Sequence, residues 1–324
     1  MLNLNDKNVL VTGGAGFVGS YVVDRLILEK PRSITVASNF FLGDVENLAE
    51  AKENFPALKI RRCDVADYED ISDAVTEDSI DIIFNLSVIP LPTSLIKPEW
   101  TIRKNIDMTL NVCRLLRENK FKTLIQFSSS EAVGTARIVP MKEDHPLDPV
   151  TPYAASKAAT DHIALSYQHT FDCDVSIVRP FNQYGPRQNA RKYAGVIPIL
   201  IGKMVKNEDV TIYGDGEQTR DFLYASDTAN AAIEVYKNTN TRGKILNVAS
   251  GKELTINYLA RTIAKKLGYT KKFHYVKPRI GDVRRHTGDP SQIKQLTDWE
   301  PKVSFEDGIE RTIQWYKDNP SRFS

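Results

Sequence analysis

The chain has 324 residues, long enough for one large or two interleaved domains around a sizeable core. Charged residues make up 26% and the hydrophobic set 41%, ordinary values for a soluble globular protein, and the formal net charge is only +2. That balance argues against bulk attraction to nucleic acid or to an anionic membrane, so any anion site must be a local cluster of Arg or backbone N–H groups.

The first residues, MLNLNDKNVLVTGG, lack a basic head, a long apolar run and a small-residue cleavage site, so no signal peptide is expected. No run of about 18 apolar residues occurs, so no membrane span is expected either. Cys63, Cys113 and Cys173 are widely spaced and odd in number, which suits a reducing cytoplasm. Neither the cysteines nor the histidines have metal-ligand spacing.

Asn8–Thr12 (NVLVT) reads as a strand that runs into glycines. Ser20–Glu29 reads as a helix with Tyr21, Val22, Leu26 and Ile27 at core positions. Strands are expected at Ser33–Ala37, Leu58–Arg62 and Ile80–Leu86, then a long helix at Pro98–Arg117 and a strand at Thr123–Ser128. A helix over Pro152–Thr170 follows, then strands at Asp174–Arg179 and Lys244–Ala249. This alternation predicts an α/β fold with a doubly wound, mostly parallel sheet. Runs such as DIIFNL suit strands covered on both faces. Beyond Arg179 the texture turns to Pro/Gly-rich loops, isolated aromatics and shorter helices. The expected division is a sheet domain, residues 1–180 plus 223–250, and a smaller lobe, residues 181–222 plus 251–324.

The first strand is followed by Gly13-Gly14-Ala15-Gly16-Phe17-Val18-Gly19, a G-x-x-G-x-x-G strand-to-helix turn. Gly13 permits the tight turn, Gly16 lets the backbone approach a pyrophosphate, and Gly19 allows close helix–sheet packing. The diphosphate would sit at the positive end of the helix. This is the signature of a Rossmann domain binding NAD or NADP. An acidic residue is expected at the end of the second strand to bind the adenosine ribose, but Ser38 stands there, beside Asn39. Serine lacks the two-oxygen grip of a carboxylate and does not repel a 2′-phosphate. NAD is therefore the first choice and NADP stays open. Asp64, after the third strand, can accept a bond from the adenine amino group. Phe17 and Val18 on the turn, with Val65, Leu86 and Pro180 at strand ends, complete the expected cofactor wall.

Tyr153-Ala154-Ala155-Ser156-Lys157 puts a phenol and an ammonium on one helix face. A free tyrosine titrates near ~10. A neighbouring ammonium and an oxidised nicotinamide both favour the phenolate, which can take a proton from a sugar hydroxyl as hydride leaves for the cofactor. Lys157 would also hold the nicotinamide ribose. Ser128-Ser129-Ser130-Glu131 leaves the fifth strand at the ligand end of the sheet, where a hydroxyl can bond the reacting oxygen.

These segments, with Asn105 and Thr109, Arg179-Pro180-Phe181-Asn182-Gln183-Tyr184-Gly185-Pro186-Arg187 and Gly214–Phe222, resemble the extended short-chain dehydrogenases/reductases, within them the nucleotide-sugar epimerases and dehydratases. The resemblance spans nearly the whole chain. It implies a Rossmann domain, a substrate lobe, tightly held NAD(P), a Ser129–Tyr153–Lys157 triad and a homodimer through a helix pair from each subunit. Ser129 follows from counting back from Val133-Gly134, where the family usually carries Tyr-Gly. Ser130 and Glu131 fall where hexose 4,6-dehydratases often carry Asp-Glu, and where some dehydratases and the nucleotide-uronic acid decarboxylases carry Ser-Glu, so Glu131 is a candidate base for a carbon-bound proton or a substrate contact, and Ser130 a substrate contact. By the same resemblance Asn182 would contact the substrate diphosphate or sugar, Arg220 and Arg284 (in Gly281-Asp282-Val283-Arg284) would hold the diphosphate, and Val88–Ser94 would cover the sugar.

The implied first step is oxidation of the sugar of a nucleotide diphosphate, at C4. With Ser130 in place of an acid, the balance favours a 4-epimerase. A 4,6-dehydratase, a C4 dehydrogenase and a nucleotide-uronic acid decarboxylase remain alternatives. A non-catalytic cofactor- or RNA-binding relative would be expected to lack a triad member, and here all three are present without basic–aromatic interleaving.

Overall fold

Along β1 (Asn8–Thr12), Val9 and Val11 point to one side of a sheet and Leu10 to the other, and all three are fully buried. In β4 (Ile82–Asn85) Ile82 and Phe84 take the first side and Ile83 the second. Strands apolar on both faces need helices on both faces. A computed structural model describes residues 1–191, 193–278 and 283–323 and supplies them. Its main sheet also contains β2 (Ser33–Ser38), β3 (Leu58–Arg62), β5 (Thr123–Phe127), β6 (Val175–Pro180) and β7 (Ile245–Val248). All pairings are parallel, in the order β7-β6-β5-β4-β1-β2-β3.

Helices α1 (Phe17–Ile27) and α5 (Ala225–Lys237) cover the first face with Val22, Leu26 and Ile233. On the second face lie α2 (Tyr68–Glu77), α3 (Pro98–Arg117) and α4 (Pro152–Phe171), with Ile71, Val112 and Ala164. The expected Rossmann sheet is therefore present, including the late strand that returns to the edge beside β6. No helix among the described residues is long and apolar enough to cross a membrane.

Boundaries differ where tertiary contacts decide them. α1 starts at Phe17 rather than Ser20, because extended Gly16 leads straight from the glycine turn into the helix. Tyr21 and Ile27 are only partly buried, and Val23 is fully buried instead. Tyr21 turns its ring edge-on to Phe17 and Tyr224. β4 is shorter than Ile80–Leu86: Ile80 closes the turn after α2 through its N–H to Val75, and Leu86 already bends toward β1.

A third core joins residues 184–224 to residues 256–316. Ile197, Leu200, Ile212 and Phe222 pack on Leu259, Ile263, Ile309 and Tyr316. Asp221, fully buried, joins the two stretches. Its carboxylate accepts bonds from Ser250 N–H (2.8 Å), Ser250 Oγ (2.6 Å), Gly251 N–H (2.9 Å) and Gly288 N–H (3.3 Å). Burial pushes its carboxyl up to about 6, against the pull of those donors. Asp221→Asn keeps the shape but turns a donor toward donors. It should cost about 1–3 kcal/mol of unfolding free energy in a denaturant titration; an unchanged midpoint would show that the four bonds carry nothing.

Candidate active site

The chain leaves β1 toward α1 on one face and β4 toward α3 on the other, so a crevice opens between their C-terminal ends. A cavity of about 780 Å³ fills this crevice. Gly13, Gly16, Phe17, Val18 and Gly19 form its floor, while Ser38, Asn39, Asp64, Val65 and Leu86 form its walls. These are ten of the residues expected at the cofactor. Tyr153 and Lys157, also expected at the cofactor, and Pro180, at the buried end of β6, do not line it.

The floor fits a dinucleotide diphosphate. Gly13 has φ +66°, and a Cβ on Gly19 would run into the Gly13 carbonyl and approach the Gly14 Cα to 2.8 Å. No acidic side chain stands in the first turn of α1, and no side chain caps it. Its leading N–H groups and the helix dipole are thus available to an anion. Thr12 Oγ1 donates to Asn85 Oδ1 (2.6 Å) and accepts the Leu86 and Ser87 N–H groups (3.1 and 3.2 Å), fixing the two rims of the crevice to each other. Asn85 Nδ2 continues the chain to Gln126 Oε1 at 2.8 Å.

The wall residues are held by local bonds. Ser38 Oγ accepts the Phe40 N–H (3.1 Å) and Asn39 Oδ1 the Phe41 N–H (3.0 Å). Asp64 lines the cavity, but Lys104 holds its Oδ2 at 2.9 Å. An ion pair therefore competes with the adenine contact expected of this carboxylate.

Sequence reading missed part of the wall. Arg187, Arg191, Tyr193 and Arg322 reach the cavity from the second lobe. Arg187 pairs with Asp24 of α1 at 2.6 Å, and Arg322 pairs with Asp44 at 2.5 Å. Arg187 ends the motif that begins at Arg179, which was the available signal. Arg322 had none.

The chemical residues stand on β5, α4 and the segment between them. Thr151 caps α4 through the Ala154 N–H (3.1 Å), and Pro152 occupies its first turn. Lys157 is buried at 4% exposure, and its Nζ donates to the Phe127 carbonyl at the end of β5 (2.6 Å). Burial pulls its ammonium down to about 8, while Asp161 pulls the other way. Tyr153 shares a hydrogen bond with Ser129. Burial pushes its phenol up to about 12; the Ser129 bond lowers it, and Glu131 and Asp161 raise it. Ser129 Oγ also accepts the Glu131 N–H at 3.2 Å. The structure thus brings Ser129, Tyr153, Lys157 and Glu131 together. Asn105 connects this group to the cavity: its Oδ1 accepts the Ile89 N–H (2.7 Å) and its Nδ2 donates to Ser156 Oγ (2.9 Å). Val88, Ile89 and Pro90 line the cavity, and Leu91–Ser94 forms a short helix behind them.

The expected substrate residues divide. Ser130 is buried, and its carbonyl lies 3.2 Å from His286 Nε2. His286 was not anticipated. It is fully buried, faces Phe181 at 5.2 Å between ring centroids, and is pulled down to about 4, mainly by burial. Asn182 Nδ2 turns to the Asp221 carbonyl (3.4 Å). Arg220 donates to the Thr219 and Val283 carbonyls (2.8 and 2.6 Å). Arg284 is exposed with its guanidinium paired to Asp215 at 2.7 Å, while its carbonyl accepts the Thr219 N–H (2.9 Å), next to Arg220. Gly281 and Asp282 of its motif lie outside the described residues.

Gly19→Ala forces a methyl group into the turn. Nicotinamide released from the purified variant on denaturation should fall at least about tenfold below the parent; full cofactor content would contradict the cradle as drawn.

The family model for GDP-mannose 4,6 dehydratase matches residues 10–312. A putative UDP-glucose 4-epimerase of Methanocaldococcus jannaschii is 32% identical over 96% of this chain and 99% of its own length. UDP-N-acetyl-alpha-D-glucosaminuronate decarboxylase of Bacillus cytotoxicus is 31% identical over 96% of this chain and 98% of its own. The dTDP-glucose 4,6-dehydratase of Bacillus anthracis, solved in complex with NAD, superposes with a TM-score of 0.87 at 29% identity over 98% of each chain. With its parallel Rossmann sheet and glycine turn, this chain belongs to the extended short-chain dehydrogenase/reductase family of nucleotide-sugar epimerases and dehydratases, and is an NAD-dependent enzyme.

Proposed function

We propose that the chain inverts C4 of a sugar carried on a nucleotide diphosphate, with Ser129, Tyr153 and Lys157 as its catalytic residues. The supporting observation is the union of a buried ammonium and a serine-bonded phenol on the helix that Asn105 ties to the cofactor cavity. NAD held on the Gly13–Gly19 turn would supply the hydride acceptor for the sugar carbon and the donor for its return. The Tyr153 phenolate takes the proton of the hydroxyl on that carbon and gives it back to the carbonyl oxygen on return. Lys157 favours the phenolate by charge, which matters because burial, with the Glu131 and Asp161 carboxylates, pushes the phenol up to about 12 despite the Ser129 bond. The Ser129 hydroxyl bonds the same sugar oxygen. Return of hydride to the opposite face of the turned-over ketone inverts the centre.

Glu131 is what keeps a 4,6-dehydratase in view, since that reaction needs an acid and a base beside C5 and C6. Glu131 and Asp161 are the carboxylates whose charge acts on the phenol. Asp161 is buried and bonded by Ser128 and Arg179, which leaves Glu131 beside a non-acidic Ser130. That favours epimerisation over dehydration. A C4 dehydrogenase would stop at the ketone, and a uronic acid decarboxylase would need a cation for the C6 carboxylate. In this reading residues 1–180 plus 223–250 hold the cofactor, and residues 181–222 plus 251–324, with Ser130, Asn182, Arg220 and Arg284, receive the nucleotide sugar. The enzyme acts as a cytoplasmic homodimer through α3 and α4, whose outer surfaces expose Leu110 and Phe171.

Tyr153→Phe should lower turnover at least about 100-fold while keeping the fold and the bound cofactor. Full activity in that variant would remove the phenol from the mechanism. UDP-, dTDP-, GDP- and CDP-sugars should each be incubated in deuterated water and the products weighed and read by NMR. An accepted substrate should keep its mass, gain a new C4 coupling and show no exchange at C5, and Glu131→Gln should only slow it. Loss of one water with C5 exchange, abolished in Glu131→Gln, would make the enzyme a dehydratase.

A further inference from the structure

Tyr153, Lys157 and Asp161 stand at i, i+4 and i+8 on α4, along one face. Asp161 is 1% exposed. Its Oδ2 accepts Ser128 Oγ (2.6 Å) and Arg179 Nη2 (3.1 Å), while Oδ1 has no hydrogen-bond partner among the described residues. Arg179, on β6, is also 1% exposed, and neither Nε nor Nη1 has such a partner. So incompletely satisfied a buried pair is a poor source of stability, and two apolar residues would serve packing better. Its charge, next to the catalytic helix, has another use. Within this trio two cations, Lys157 and Arg179, meet one anion, Asp161, a net charge of +1 before Glu131 and Glu143 nearby are counted. A Tyr153 phenolate cancels it.

We propose that the Arg179–Asp161 pair regulates the charge that Lys157 presents to Tyr153. Arg179 occupies the Asp161 carboxylate, which would otherwise neutralise Lys157, and the remaining positive charge favours the phenolate. Arg179 and Asp161 are positioning residues that act by charge, Asp161 on Lys157 and on the Tyr153 phenol, and touch no substrate. The inference rests on the reading of Tyr153 as the acid–base group.

Other groups face the cluster. Glu131, from the segment after β5, opposes the phenolate. His286, held neutral by burial, adds no charge near pH 7. Glu143 faces Arg179; burial pushes its carboxyl up while Arg179 and two backbone N–H groups pull it down. These are present alike in parent and variants, so removing one member of the pair isolates its effect.

The test is an ultraviolet difference titration of the phenol in the NAD-loaded enzyme, with Tyr153→Phe as the blank that removes its signal. Asp161→Asn should lower the Tyr153 midpoint, and Arg179→Met should raise it. The Asp161→Asn shift should be about one pH unit, the effect of one charge about 12 Å along the helix in a medium of intermediate polarity, and the Arg179→Met shift should have the opposite sign. The double variant should return to the parent value, and the acid limb of the kcat profile should follow the same pattern. A purely structural pair would move both single variants alike or neither. If Arg179→Met does not fold, Arg179→Lys should keep the parent midpoint, and Asp161→Asn decides alone: an unchanged or raised midpoint overturns the proposal. The titration needs no turnover. A shifted midpoint together with an active Tyr153→Phe variant would sink the acid–base reading and leave the charge coupling standing.

Discussion

The Lys157 ammonium lies inside the protein, and its recorded hydrogen bond is to the Phe127 carbonyl where β5 ends. A cation taken out of water is costly unless nearby charge and dipoles receive it. Much of the surrounding structure answers that demand. β5 must stop at Phe127 so that its last carbonyl meets the lysine. The serines that follow must then turn, with Ser128 bonding Asp161 and Ser129 bonding Tyr153. A helix must carry phenol and ammonium one turn apart, and Thr151 and Pro152 start it at the right residue.

The parallel sheet places this group beside the cofactor crevice. Its chain reversal between β1 and β4 opens the crevice, and the Thr12–Asn85–Gln126 chain of bonds holds the strand ends that border it. Asn105 carries the constraint across to α4. The C-terminal half contributes to the cavity too. Arg187 and Arg322 reach back to the cofactor cavity and pair with acids of the Rossmann half. The cofactor cavity is thus lined by both halves of one chain.

Much of this was legible in the sequence because it is local. The seven strands show as apolar runs between turn residues, the glycine turn as a spaced motif after β1, and the Tyr153–Lys157 face as a spacing of four. The remainder depends on pairs that spacing does not encode. The ion pairs Asp64–Lys104 and Arg284–Asp215 join residues 40 and 69 apart in the chain, so no local spacing announces them. Arg322 and Asp44 come from opposite ends of the chain. His286 is an unremarkable letter in sequence, and only the packing of Phe181 and Ser130 around it brings it to the site. The start of α1 was misplaced for a similar reason: helix periodicity begins at its apolar face, whereas the backbone turns helical at the glycine cap.

The central claim is that the sugar is oxidised at C4 under the Tyr153 phenol, with the hydride held on bound NAD. A nucleotide sugar deuterated at C4 and accepted by the enzyme tests it directly, with the label followed by NMR and mass spectrometry. The account predicts that deuterium is found on the nicotinamide ring of quenched enzyme and returns to C4 of the inverted sugar without loss to solvent. Deuterium that never leaves C4 while the sugar turns over, or that washes into water, would contradict it.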